Sequence, residues 1–502
     1  MATRSYADAV EHLNTLQSNA AVLDAIRASG GGRASNKAFE ETVEYLERIG
    51  YSPSDLNTLN VIHITGTKGK GSTSAFTESI IRSCRPTWKT GLYTSPHLVA
   101  VRERIRINGA PIPESEFAKY FFEVWDRLQQ NTKRASEETS IMPGYFRFLT
   151  ILAFHAFLQL GVDATILEVG VGGTYDSTNI VPKPVATGIT ALGLDHVHVL
   201  GKTIPEIAWQ KGGIYKKDVP ALTVEQPVEG LAVLRERAAE LGASEFAVVP
   251  TIPELFTTTL AGLAGAHQVQ NASLAVHLAH AFFNSRQKKA TEQLLPITFI
   301  QGLKNTRWPG RCQTVVDPQR DGLTWFLDGA HTLESLDCCT KWITSPGVIV
   351  QASGKTGSRV LIFNCTSGRS GSSFLAKIRD TIASQLRLHQ IDESADTFFD
   401  RVIFCTNLTY ADGHYKGDLT NNTISQTDLV SLNLQEQLAT AWSDLIPSFP
   451  KSNTHVLPTV EHAINKVREV NQASKPLSVL VTGSLHLVGG VIEVAGLSEV
   501  AL

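Results

Sequence analysis

Hydrophobic and polar positions along the chain follow two alternating periods. Residues 61–65, Val-Ile-His-Ile-Thr, are rich in β-branched and apolar side chains, the pattern of a buried parallel strand. From Ser72 onward Phe76, Ile80 and Cys84 recur at helical spacing, which predicts a helix directly after that strand. Helical patterns also fill residues 6–28, 37–49, about Glu114 to Gln130 and about Tyr145 to Leu160. Strands are predicted at "KTGLYTS", the charged "RERIRING" and "ATILEV". Alternation of this kind predicts a mostly parallel sheet with helices on both faces, whose ligands gather at the carboxyl ends of the strands.

The pattern breaks near residues 285 to 310, at the polar "NSRQKKATEQ" and the Pro-Gly turn of "KNTRWPGR". Beyond it, strands recur at "TWFLD", "VLIFN", "RVIFC", "THVLP" and "LSVLVTG". A chain of 502 residues is too long for one ordinary core, so two α/β domains are expected, 1–305 and 306–502. The polar stretch from Ala411 to Gln426 reads as a surface loop.

Composition narrows the classes. The 45 Lys+Arg and 48 Asp+Glu give a net charge of −3 without a long block of one sign, so no nucleic-acid footprint is expected. No run of about 18 apolar residues suggests a membrane span. The start, "MATRSYADAVEHLNTLQSNA", resembles neither a transit peptide nor a secretory signal. A cytoplasmic location is therefore expected, with a mitochondrial form requiring an upstream presequence. Cys84, Cys312, Cys338, Cys339, Cys365 and Cys405 include no C-x-x-C pair and read as reduced, mostly buried thiols. With no coiled coil or apolar association segment, a monomer is expected.

The candidate chemistry starts at Gly66, Thr67, Lys68, Gly69, Lys70, Gly71 and Ser72, a G-x-x-G-K-G-S turn between strand and helix. It departs from the strict G-x-x-x-x-G-K-[ST] phosphate loop, yet its glycines let the backbone approach an anion and point amides at it. Lys70 is placed to reach the terminal phosphates and the Ser72 hydroxyl to ligate Mg2+. Glu168, at the end of "ATILE" and before a glycine-rich run, is placed to share that ion. "GLDHVHVLGKTIPEIAWQKGG" offers Asp195, His196, His198 and Lys211, the last on the inward side of a helix near its end. A desolvated Lys211 amine could form a carbamate with CO2; a surface lysine is the plain alternative.

Taken together, "GTKGKGS", "YTSPHL", "ERIRING", "LEVGVGGTYDSTN", "LGLDH", "IAWQKGGIYK", "HQVQNA", "WPGRCQ", "LDGAHT" and "VTGSLHLVGG" resemble the folylpolyglutamate synthase family of the Mur-ligase-like ATP-dependent amide ligases. They occur in the family's order over residues 60 to 490. The resemblance implies a P-loop-containing Mur-ligase-like N-terminal domain and a smaller Rossmann-like α/β C-terminal domain. It implies that Gly66 through Ser72 cradle ATP phosphates, that Ser72, Glu168 and His196 ligate Mg2+, and that Lys211 is the family's carbamylated lysine. Asn271 would contact the nucleotide from the first domain, and Arg311, Asp328 and His331 would reach it from the second, with Lys70, Lys211 and His331 in the chemistry. Thr94, Ser95, Pro96 and His97, with Arg104, would belong to the folate region. The segment between Arg311 and Asp328, including "DPQRDG", is a few residues longer than the family pattern.

The expected substrates are ATP, L-glutamate and tetrahydrofolate with its polyglutamates, Mg2+ is the expected metal, and a monovalent cation such as K+ is an open candidate. The expected reaction passes the γ-phosphoryl of ATP to the folate γ-carboxylate and lets the glutamate amine displace phosphate, with the second domain closing over ATP to exclude water. Dihydrofolate synthase is the nearest alternative. Such enzymes tend to carry a Phe-Glu pair where this chain reads "GYFRFLT". A nucleotide-switch ATPase is the alternative of another class; the chain lacks an N-K-x-D guanine reader.

Overall fold

The structure is a computed structural model that describes residues 4–17, 36–257, 267–286, 294–348, 357–365, 371–412, 418, 432–471 and 476–502. The chain divides into two compact units. The first comprises Met1–His97, Val101–Ala261 and Gln268–Thr306, the second Leu98–Ala100, Gly262–His267 and Arg307–Leu502.

The first unit is built on an eight-stranded sheet of β1 (Val61–Thr65), β2 (Thr90–Tyr93), β3 (Ile105–Ile107), β4 (Ala110–Pro111), β5 (Ala164–Glu168), β6 (Ala186–Ile189), β7 (Pro220–Thr223) and β8 (Glu245–Val248), in the order β4-β3-β2-β5-β1-β6-β7-β8. β2, β5, β1, β6, β7 and β8 run parallel, and β3 and β4 add an antiparallel edge. All five residues of β1 and of β5 are buried, as expected of strands covered on both faces. The covering helix Tyr145–Leu160 is apolar nearly all round and buries Phe148, Phe154 and Phe157. It stops at Gly161, whose left-handed φ of 61° lets its N–H return to the last carbonyls.

The second unit holds six strands: β9 (Gln313–Val316), β10 (Leu323–Leu327), β11 (Ser358–Phe363), β12 (Arg401–Cys405), β13 (Thr454–Leu457) and β14 (Leu477–Thr482), in the order β13-β12-β11-β14-β10-β9. Pairing is parallel except between β9 and β10. The long "DPQRDG" segment is the turn of that hairpin. Asp317 organises it by accepting Gln319 N–H and the indole N–H of Trp325, each at 2.9 Å.

Several expectations shift in detail. The helix after β1 runs Lys70–Cys84, two residues earlier than the apolar spacing indicated, because Gly69 turns left-handed (φ 91°) and caps it. The first helix is described as Tyr6–Asn14, and residues 18–35 lie outside the described residues. "RERIRING" divides into a single 3-10 turn, Val101–Arg104, and β3. Most of the polar stretch after Ala411, residues 413–417 and 419–431, lies outside the described residues, as do 287–293 at the expected junction. None of the six cysteines is in a disulfide. No helix among the described residues is long and apolar enough to cross a membrane.

The Lys70–Cys84 helix is held from outside by helix Ile297–Asn305. Gly302 permits the approach: a Cβ there would lie 2.6 Å from Ile80 Cα and 2.9 Å from Ser79 O, while Ser79 Oγ donates to Gly302 O at 2.7 Å. Backbone cannot yield as a side chain can. Gly302→Ala is therefore expected to destabilise the first unit by about 1–3 kcal/mol, seen as a lower midpoint for its unfolding in thermal or urea denaturation.

Candidate functional site

Three adjacent parallel strands set the site. β1 lies between β5 and β6 with Ile64 beside Glu168 and Thr65 beside Ile189, so the loop after β1, the last residue of β5 and the turn after β6 emerge at one edge. Gly66 has φ 151°, and a Cβ there would lie 1.8 Å from Thr190 Oγ1. At Gly69 a Cβ would lie 2.1 Å from Asn271 Oδ1. Both glycines are thus required by their protein neighbours as well as by any anion.

The loop is stitched to the turn after β6. Thr67 N–H and Lys68 N–H both donate to Ala191 O, at 2.9 and 3.2 Å. Thr67 Oγ1 donates to Gly193 O and accepts from Gly193 N–H, each at 3.0 Å. The Lys68 ammonium lies 3.1 Å from Asp195 Oδ2, and Asp195 Oδ1 accepts His196 N–H at 2.9 Å. Burial alone would raise the Asp195 pKa, but Lys68 leads the groups that bring it down to about 2. His196 has a left-handed φ of 49°. Burial lowers its pKa, and Lys70, Lys211 and Lys68 add to that effect against Asp195.

Lys70 Nζ donates to Gly66 O at 3.1 Å and Lys211 Nζ to the same oxygen at 2.9 Å. Lys211 lies in helix Ile204–Gly212 and is 3% exposed, so the inward placement expected of it holds. Burial first, then Lys70, pushes its pKa well below the ordinary lysine value. Ser72, in the first turn of its helix, is buried and accepts Gln268 Nε2–H at 3.4 Å; Gln268 Oε1 in turn accepts from Asn271 Nδ2 at 2.8 Å. Helix His267–Arg286 thereby braces the loop through two residues one turn apart.

Glu168 is buried, and its Oε2 accepts Ser95 N–H at 3.0 Å. That bond brings "YTSPHL" to the site. Thr94 N–H donates to Arg104 O at 3.0 Å, Ser95–Pro96 is cis, and Arg104 Nε donates to His97 Nδ1 at 2.9 Å. The segments named for phosphate, metal and folate from sequence, together with Lys211 and Asn271, thus share one region of the first unit.

Arg311, Asp328 and His331 belong to the second unit. Asp328 follows β10 and organises its own turn, with Oδ2 accepting Cys312 N–H at 2.7 Å and Oδ1 accepting Ala330 N–H at 2.9 Å. His331 Nδ1 lies 2.9 Å from Gly329 O, just before the Thr332 cap of helix Leu333–Ile343. Arg311 lies beside Gly329, where an added Cβ would lie 2.7 Å from its Nη1.

Sequence reasoning missed Asp176. It is buried and accepts from Gly170 N–H, Val171 N–H, Thr178 N–H and Thr178 Oγ1, so one carboxylate folds the glycine run that follows Glu168. Its signal was the D-S-T triplet, a turn-forming pattern in which Asp captures the amide two residues on. Among the described residues no group of three His, Cys, Asp or Glu could hold a metal. A cation here would need the Ser72 hydroxyl and oxygens of a ligand.

No protein-family model matches the chain. The chain is 43% identical over 506 residues to a folylpolyglutamate synthase of Saccharomyces cerevisiae, covering 98% of this chain and 87% of that one. Its fold is similar to Mycobacterium tuberculosis folylpolyglutamate synthase complexed with ADP (TM-score 0.69, 21% identity, 98% of each chain). It is similar also to an FPGS–AMPPCP–folate complex (TM-score 0.60, 22% identity, 98% of this chain and 99% of that one).

One consequence of the packing is testable by pH. Lys216 donates to Asn179 O at 3.0 Å, and burial lowers its pKa from 10.5 to about 8. The folded chain therefore holds fewer protons than the unfolded chain between these values, so stability rises with pH across that window. Below about 8 the burial penalty is full; above 10.5 it is absent. Melting temperatures from pH 7 to 11 should rise less for Lys216→Met than for the unaltered chain.

Proposed function

Because this chain belongs to the folylpolyglutamate synthase family, as 43% identity over 98% of its length shows, we infer that it is an ATP-dependent ligase that adds L-glutamate to the γ-carboxylate of tetrahydrofolate and its polyglutamates. The observation that carries this reading is the convergence at one sheet edge of a phosphate loop with two lysines, the Glu168 carboxylate and the Thr94–His97 segment bonded to it.

A carboxylate is a poor electrophile because its leaving group would be oxide. In the first step the folate carboxylate oxygen attacks the γ-phosphorus, the bond to the β-phosphate oxygen breaks, and ADP leaves. The glutamate amine then attacks the acyl carbon, the C–O bond to phosphate breaks, and the amine loses a proton. The first step brings two anions together, so the site has to offset charge around an in-line geometry. The start of the Lys70–Cys84 helix offers amides to the phosphates, and the Lys70 ammonium, which donates to Gly66 O, lies at the same end. Arg104, through His97, orders the segment that presents the folate carboxylate.

Mg2+ belongs to the proposal. A hydroxyl, a carboxylate and an imidazole from Ser72, Glu168 and His196 are a hard, sparse donor set of the kind this ion completes with phosphate oxygens and water. When bound, the ion would offset charge on the β- and γ-phosphates. Burial and the nearby Lys70 favour the neutral amine of Lys211, the form that reacts with CO2, which supports the carbamate assigned to it. A K+ requirement, a monomeric state, a cytosolic location, and the nucleotide roles that the family pattern implies for Asn271, Arg311, Asp328 and His331 complete the proposal. Six cysteines with no disulfide among them fit a reducing compartment.

Purified protein given Mg-ATP and labelled glutamate should extend tetrahydrofolate by glutamate units, read by mass with ADP release, and extend dihydropteroate little. Label in dihydropteroate alone would establish dihydrofolate synthase, and ADP without incorporation a switch. Glu168→Gln should keep the fold and lower kcat by at least about a hundredfold; a smaller loss would remove Glu168 from the metal set.

A further inference from the structure

Lys68 sits in the phosphate loop, yet neither its amide nor its ammonium serves as an anion ligand in this geometry. The amide, like that of Thr67, donates to Ala191 O. The ammonium pairs with Asp195 Oδ2 at 3.1 Å. The other oxygen of that carboxylate accepts the His196 amide at 2.9 Å. Asp195 therefore spans the loop and the backbone of the next residue. His196 occupies the left-handed region, which a side chain with a Cβ enters only when its surroundings hold it there. Thr67 and Gly193 add a reciprocal pair of bonds beside the same bridge.

We propose that Lys68 is a positioning residue whose ion pair with Asp195 fixes the turn presenting His196 against the phosphate loop, so that nucleotide and metal sites are held as one unit. The proposal rests on the reading of His196 as a metal ligand. Lys68 and Asp195 are a third and a quarter exposed, so water partly screens the pair. Its effect should then appear in the placement of His196 and leave the global fold intact.

The test uses the full chain and two binding measurements: ADP by calorimetry in EDTA, and Mn2+ by electron paramagnetic resonance in the ADP complex. For Lys68→Met, metal-free ADP affinity should stay within about twofold, while Mn2+ affinity should fall about tenfold, the scale of coupling between contacting charged residues. Lys68→Arg should restore most of the loss. Asp195→Asn should match Lys68→Met, and the double variant should be no weaker than the weaker single one. A tenfold loss of metal-free ADP affinity in Lys68→Met would make Lys68 a phosphate ligand and overturn the proposal. So would unchanged Mn2+ affinity in both single variants while His196→Ala weakens it. If His196→Ala itself leaves Mn2+ affinity unchanged, the metal reading of His196 fails, and the proposal with it.

Discussion

The register of β5, β1 and β6 is the constraint on which the site depends. Parallel strands end at one edge, and here Glu168 lies beside Ile64 while Ile189 lies beside Thr65. A slip of one residue in either ladder would turn Glu168 to the other face or carry the Thr190–Asp195 turn out of reach of Thr67. Complete burial of β1 and β5 opposes such a slip, because apolar residues on both faces must keep their covering helices. The core thus sets the distances on which the polar groups rely.

That edge is costly in polar burial, and its bonds show how the cost is offset. Asp176 is surrounded by three amides and a hydroxyl. Behind it, His63 on β1 gives Nε2 to Thr178 Oγ1 at 2.8 Å, while burial lowers its pKa to about 3 and keeps the ring neutral. The His63, Thr178 and Asp176 chain lies beneath the glycine run and fixes its course from the strand side. The network is matched at Thr178 and Asp176, while His63 Nδ1 is buried without a hydrogen-bond partner, so the path is fixed by the Asp176 and Thr178 bonds. Here the path delivers the residues after Glu168 to the helix of Lys211, where Thr174 N–H reaches Gln210 O at 2.8 Å.

Elements whose boundaries follow from their own residues were legible in the sequence. Glu114–Gln130 and Tyr145–Leu160 occur with the predicted ends because Pro113 and Gly161 flank them. β5 ends on Glu168 as read, where the buried run meets a charge one residue short of the glycine-rich segment. The loop, metal and folate segments were legible because each carries a residue pattern with chemistry of its own. What could not be read was pairing between distant segments. Nothing in "GTKGKGS" says that its first lysine faces Asp195 or that Thr67 grips Gly193, because those partners are 127 and 126 residues away. Gln268 escaped for the same reason, its partner Ser72 being 196 residues away, whereas Asp176 bonds only neighbours and was legible in its D-S-T triplet. The extra length of "DPQRDG" showed in sequence as an anomaly, and the β9–β10 hairpin gives its cause.

The electrostatics of the edge distinguish a site made for a polyanion from one that merely contains lysines. Lys70 and Lys211 meet at one carbonyl oxygen, whose two lone pairs can accept from both side chains. Lys68, the nearest alternative source of positive charge, is answered by Asp195. Burial drives Lys211 toward its neutral form, so the positive charge beside Gly66 O is that of Lys70, at the mouth of the helix that begins there and whose dipole is positive at the same end. A packed turn with no ligand would gain from replacing the buried Lys211 by an apolar residue, because burying an amine carries a desolvation cost. A polyphosphate arriving at the helix mouth would meet Lys70 and the positive end of the helix dipole, while Lys68 is held by Asp195, which favours the helix mouth, rather than Lys68, as the seat of that ligand.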